Sequence, residues 1–112
     1  MTLKELAARG DLVNRIFRAH EESKFAYRGI VAKVEIEKNC VIFSLVNYAR
    51  RFEGKPRHST WKHLQDTEIG FGGKTTIQIV DEIITFSLPK VSRIYLYPAG
   101  TKVEEMEHAP LA

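Results

Sequence analysis

The first 20 residues carry apolar side chains at the spacing of an amphipathic α-helix. The positions that share this helical face are Leu3, Leu6, Val13, Ile16, Phe17 and His20. Thr2 and Glu5 fit a capping box, in which the two side chains satisfy amides at the helix start. Gly10 and Asp11 interrupt the pattern. We predict one helix over residues 1–23, and the alternative is two shorter helices, the second capped by Asp11.

Beyond residue 24 the period of the pattern changes to two. Residues 30–37 place apolar side chains at even positions and Lys33, Glu35 and Glu37 at odd ones, which is typical of a half-buried strand. Residues 40–48 are apolar on both faces, as in a central strand. Residues 75–80 and 83–88 read as a hairpin joined at Asp81 and Glu82, and residues 92–97 as a last strand.

These elements predict the α+β class in a single domain of residues 1–112. We expect an N-terminal amphipathic helix followed by a five- to six-stranded antiparallel sheet over residues 25–98, either bent or closed into a small barrel. Residues 50–67 form a basic loop in this scheme, and residues 99–112 form a loose acidic tail.

The apolar stretches are too short to cross a membrane. The longest, residues 40–43, is followed by Ser44, and the first residues include an early acid and no apolar core of a secretory signal. The one cysteine, Cys40, cannot form an internal disulfide. We therefore predict a soluble cytoplasmic protein without a membrane partner.

Positive charge is concentrated in one segment, residues 50–63, which we call the basic stretch. It holds five Lys and Arg against the single acid Glu53, whereas the whole chain has a net charge of only +3. The cations are Arg50, Arg51, Lys55, Arg57 and Lys62. The stretch also contains Trp61, so it combines phosphate-neutralising and base-stacking side chains.

No motif in the chain defines a reaction. Gly73-Lys74-Thr75 resembles the end of a phosphate loop, but Glu68 replaces its first glycine and a strand pattern follows, so we predict a glycine turn. His58 and His63 are five residues apart, which does not suit a helical metal site. The two could serve as an acid–base pair, but nothing in the spacing requires it. We predict no metal, no cofactor and a binding domain rather than an enzyme.

Two binding functions follow from these features. The first is nucleic-acid binding through Arg50, Arg51, Lys55, Arg57, Trp61 and Lys62. The second is a protein–protein or homo-oligomeric module without catalytic activity, in which the strand over residues 93–97 supplies a free sheet edge for a second copy. A pocket among the phenylalanines is a third possibility, for which a filled core is the simpler interpretation.

Overall fold

A computed structural model describes residues 1–21, 25–52, 62–87 and 92–102 of the chain. Within these ranges the chain forms one helix and eight antiparallel strands. The elements are α1 (Leu3–Ala7), β1 (Ile16–Glu21), β2 (Phe25–Ile36), β3 (Cys40–Phe52), β4 (Lys62–His63), β5 (Thr67–Gly72), β6 (Gln78–Val80), β7 (Ile83–Ser87) and β8 (Ser92–Tyr97). The tail predicted over residues 99–112 lies outside the described residues from position 103 onward.

The N-terminal helix is much shorter than predicted. The capping box is confirmed, because the Thr2 hydroxyl accepts from the amide of Glu5 and the Glu5 carboxylate accepts from the amide of Thr2. The helix nevertheless ends at Ala7, and Gly10 and Asn14 follow with φ angles of 80° and 73°. The prediction of a helix over residues 1–23 is therefore wrong, and no second helix begins at Asp11.

Residues 16–21 are a strand because two neighbouring strands pair with them. Phe17 and Ala19 face the main core, and Arg18 lies on the opposite face, as the alternation of a strand requires. β1 pairs with β2 on one side and with β8 on the other. The spacing of apolar residues in this segment is compatible with either a helix or a strand. Pairing with β2 and β8 in the folded protein decides in favour of the strand.

The sheet follows the chain as a meander whose first and last strands pair with each other. Its order is β4-β3-β2-β1-β8-β7-β6, and β5 pairs with β3 beside β4. Among the described strands, β5 and β6 do not pair with each other, so the sheet is not closed into a barrel. Residues 73–77 instead bond to the N-terminal segment, with the amides of Leu3 and Lys4 donating to the carbonyls of Thr75 (2.8 Å) and Gly73 (3.1 Å).

The α+β class and the antiparallel sheet are confirmed, and the sheet is larger than predicted. It begins at Ile16 rather than near residue 25, and it has eight strands rather than five or six. The predicted hairpin is present as β6 and β7, whose turn residues Asp81 and Glu82 have φ angles of 51° and 67°. Positive φ at both central residues is the geometry of a type I′ turn.

The final strand is not an edge of the sheet. β8 lies between β1 and β7 and pairs with both, so the predicted free edge at residues 93–97 is wrong. At one end of the strand order is β6, which pairs only with β7 among the described strands.

One face of the sheet encloses the main core, and α1 contributes Leu3 and Leu6 to it. Phe71 is central: its ring lies 6.1 Å from that of Phe17, 5.8 Å from that of Phe43 and 5.2 Å from that of Phe86. The phenylalanines described here therefore pack against each other, which favours the filled core over a ligand pocket. The helix within the described ranges is too short to span a bilayer.

Candidate nucleic-acid interface

The strand register brings three separate connections to one end of the sheet. Glu21 pairs with Ser92, Phe25 pairs with Phe52, and Ser87 pairs with Arg93. These pairs flank the connections from β1 to β2, from β3 to β4 and from β7 to β8. The basic stretch, which forms one of the three, thus begins beside the other two.

The three connections, taken together with the strand ends that flank them, are rich in positive charge in the sequence. We call residues 18–28, 50–63 and 87–93 the basic end; within it, residues 22–24, 53–61 and 88–91 lie outside the described part of the structure. The three segments hold ten of the 17 Lys and Arg residues but only three of the 14 acids, so the rest of the chain is net negative. The cations are Arg18, Lys24, Arg28, Arg50, Arg51, Lys55, Arg57, Lys62, Lys90 and Arg93, and the acids are Glu21, Glu22 and Glu53.

Three of the six predicted site residues lie on described backbone. Arg50 pairs with Lys62 across β3 and β4, and Arg51 pairs with Ala26 of β2. The two ends of the basic stretch therefore pair with each other as parts of β3 and β4. The sequence pattern instead indicated that strand structure resumes only near Thr67. The other three predicted residues, at positions 55, 57 and 61, lie outside the described residues.

The register also adds arginines that sequence reasoning missed. Arg18 pairs with Arg28 and with Tyr95, which places two arginines in one row across β1 and β2. Arg93 of β8 is exposed and pairs with His20, two residues along β1 from Arg18. A helix over residues 1–23 would place Arg18 away from its apolar face, whereas in the strand only 3% of the surface of Arg18 is exposed. The signal that could have found it is the alternation over residues 16–20.

Two tyrosines of β8 are packed rather than presented to solvent. Tyr95 and Tyr97 are 4% and 2% exposed and form a small second cluster with Ile16 and Ile83, on the face opposite the main core. Burial raises the pKa of Tyr97, although the charge of Arg18 acts in the opposite direction. In this conformation neither ring can stack on a nucleic-acid base.

A different aromatic pair lies on β2 and β3, next to the point where the basic stretch begins. The rings of Tyr27 and Tyr48 are parallel within 6° with centroids 5.7 Å apart, and both side chains are half-buried. Tyr27 is the backbone ladder partner of Arg50, and both tyrosines pack against the main core.

The described residues contain no group of three His, Cys, Asp or Glu side chains arranged to hold a metal ion. Comparison with known proteins found no matching family model, no matching curated protein and no matching solved structure.

Proposed function

We propose that this protein binds single-stranded nucleic acid at the basic end. The observation that carries the proposal is that the strand ends flanking three connections meet at one end of the sheet, and that these three segments hold ten cations and three acids in the sequence. A field of this sign attracts a phosphate backbone and releases its counterions. Arg50, Arg51, Lys55, Arg57 and Lys62 would contact phosphates.

Unpaired bases are the preferred substrate because of the aromatic side chains at this end. Trp61 and the Tyr27–Tyr48 pair would supply stacking surface, which single strands use and intact duplexes do not. A cytoplasmic location, with the unpaired Cys40 in a reducing compartment, belongs to this proposal.

The test is binding of labelled 20-nucleotide RNA and single-stranded DNA, followed by fluorescence anisotropy between 50 and 300 mM KCl. With three to five phosphate contacts, the logarithm of affinity should fall against the logarithm of salt with a slope of about −2 to −4. Arg50→Glu/Arg51→Glu/Arg57→Glu should weaken binding by about 100-fold or more, because three contacts become repulsive.

The matched control is Arg9→Glu/Lys33→Glu/Lys102→Glu, which changes the net charge equally at exposed positions outside the basic end. It should retain most of the affinity. Equal losses in both triple variants would mean that net charge alone governs binding. Binding that is absent at 50 mM KCl, or insensitive to salt, would remove the proposal.

A second candidate function is self-association through β6. Ile79 and Val80 on this three-residue strand are 50% and 64% exposed, and among the described strands β6 has a partner on one side only. An edge with exposed aliphatic side chains can pair with the same edge of a second copy around a two-fold axis. Such a dimer leaves the basic end of each copy accessible.

A further inference from the structure

A second cluster of cations lies at the end of the sheet opposite the basic end. Here the turn between β2 and β3, the turn after β5 and the start of α1 surround a groove of about 700 Å³, which we call the lysine groove. Its lining residues are Thr2, Lys4, Glu5, Ala8, Lys38, Asn39, Gly72, Gly73 and Lys74. This volume falls in the range of small-molecule sites, about 300–1,000 Å³.

Hydrogen bonds between the three segments fix the shape of the groove. The amide of Lys4 donates to the carbonyl of Gly73 (3.1 Å), and the amide of Gly73 donates to the carbonyl of Asn39 (3.1 Å). The Lys4 ammonium donates to the carbonyl of Lys38 (3.1 Å). These hydrogen bonds join segments that are far apart in the sequence and hold the walls of the groove next to each other.

The aliphatic stem of Lys4 lies next to the turn at Gly73. A Cβ atom built at this buried position would lie 3.4 Å from Cδ and 3.5 Å from Cβ of Lys4, and 3.8 Å from the backbone of Asn39, which are ordinary van der Waals distances. The hydrogen bond from the Lys4 ammonium to Lys38 holds the charge of Lys4 beside the turn between β2 and β3.

The charges around the groove are unbalanced in favour of cations. Lys4, Lys38 and Lys74 are all exposed there, and they come from three different segments. Glu5 is the one acid of the lining, and its Oε1 accepts from the amide (3.0 Å) and the hydroxyl (2.9 Å) of Thr2. These hydrogen bonds lower the pKa of Glu5 and commit its carboxylate to the helix cap.

We propose that the lysine groove binds a compact anion that carries a diphosphate group. Lysine ammonium groups act as point charges toward phosphate oxygens, and the three lysines outnumber the one ionised carboxylate of the lining, so the groove has a net positive charge. The turn at Gly73 and Lys74 differs from a phosphate loop, since an extended segment and not a helix follows it. Binding here is independent of the nucleic-acid proposal, because β2 and β3 separate the two ends.

The test uses pyrophosphate as the probe, with ADP and adenosine as further arms, in calorimetry and in amide NMR titrations. Pyrophosphate should bind and shift the amides of Gly73 and Lys74. ADP should bind at least as well if the natural ligand is a nucleotide, whereas adenosine, which has no phosphate, should not bind.

Lys38→Gln/Lys74→Gln should reduce pyrophosphate affinity by at least about tenfold, since each charge-assisted contact is worth a substantial part of the binding. Lys33→Gln, an exposed lysine outside the groove, should leave it unchanged. Circular dichroism and the thermal midpoint verify that both variants are folded. No heat and no amide shifts at 1 mM pyrophosphate would overturn the proposal. Loss of binding in Arg50→Glu/Arg51→Glu/Arg57→Glu but not in Lys38→Gln/Lys74→Gln would overturn it too.

Discussion

Gly29 lies at an irregularity in the pairing of β2 with β3, where there is little room for a side chain. The register shifts between Arg28 and Ile30, and Asn47 on the facing strand has a φ angle of 53°. A Cβ atom on Gly29 would lie 3.2 Å from Cβ of Leu45 and 3.4 Å from the carbonyl oxygen of Val46. An irregularity of this kind is a β-bulge, and a bulge bends the strand that contains it, here within the β2–β3 hairpin.

Gly29→Ala should lower the free energy of unfolding by about 1–3 kcal/mol, because the added methyl group must displace the backbone of β3. Urea denaturation measures the change. Gly70→Ala is the matched control, since a Cβ there would meet only Ile42, at 3.7 Å. The control should be neutral or slightly stabilising. Equal stabilities of the two variants would show that the β2–β3 contact relaxes without cost.

At the scale of elements, α1 depends on its tertiary contacts. A five-residue helix is too short to be stable alone in water. Its capping box satisfies the first amides, and Leu3 and Leu6 are buried in the main core. Met1 and the first helical residues also bond to residues 73–77, the segment that joins β5 to β6.

Thr2→Ala should lower the free energy of unfolding at pH 7 by about 1 kcal/mol, because it removes the cap. The effect should depend on pH. The pKa of Glu5 is lowered in the folded protein, so the stability it adds is present above its ordinary pKa near 4.5 and disappears as the pH falls through the folded value. The difference between wild type and variant should therefore shrink in acid.

Urea denaturation at pH 7 and pH 3 provides the measurement for this prediction. Thr76→Ala serves as the control, because Thr76 is the exposed bridge partner of Thr2 but has no part in the cap. A cost for Thr2→Ala that is the same at both pH values would contradict a role for the ionised Glu5 carboxylate.

At the scale of the whole molecule, charge and apolar surface occupy different places. Cations are dense in the three segments of the basic end, whereas the exposed aliphatic side chains of β6 lie at one edge of the sheet. An oligomer formed at that edge would therefore tolerate salt, unlike contacts made by the basic stretch.

Light scattering should show a mass approaching twice 12.8 kDa at both 50 and 500 mM KCl, because β6 pairing is apolar and backbone-mediated. Val80→Lys should give a monomer by placing a charge at the edge. Ile36→Lys, at an exposed aliphatic position on β2, should leave the mass unchanged. A wild-type monomer at 200 μM protein would exclude self-association, and the nucleic-acid proposal would be unaffected.

The parts of the fold that were predicted correctly depend on neighbouring residues. The Thr2–Glu5 cap and the turn at Asp81 and Glu82 are set by chemistry within a few positions. The strand over residues 30–36 is present, but its predicted alternation is broken, because Val31 is buried whereas Ala32 and Ile36 are exposed. The density of cations in the basic stretch is a property of contiguous residues. For the candidate site, the sequence thus identified the cations of the basic stretch but not the arginines that other strands place at the same end of the sheet.

The sequence by itself determined that much of the chain beyond residue 25 extends, where the helix cap and the hairpin turn lie, and where charge is dense. The tertiary structure decided that residues 16–21 are a strand, that β8 is internal, and that Arg18, Arg28 and Arg93 lie near the basic stretch. Those outcomes depend on pairings such as Arg18 with Tyr95, which join residues far apart in the chain. The spacing of apolar residues within a segment does not show which distant strand will pair with it. When that spacing fits both a helix and a strand, the strands that lie beside the segment in the folded protein decide which structure forms.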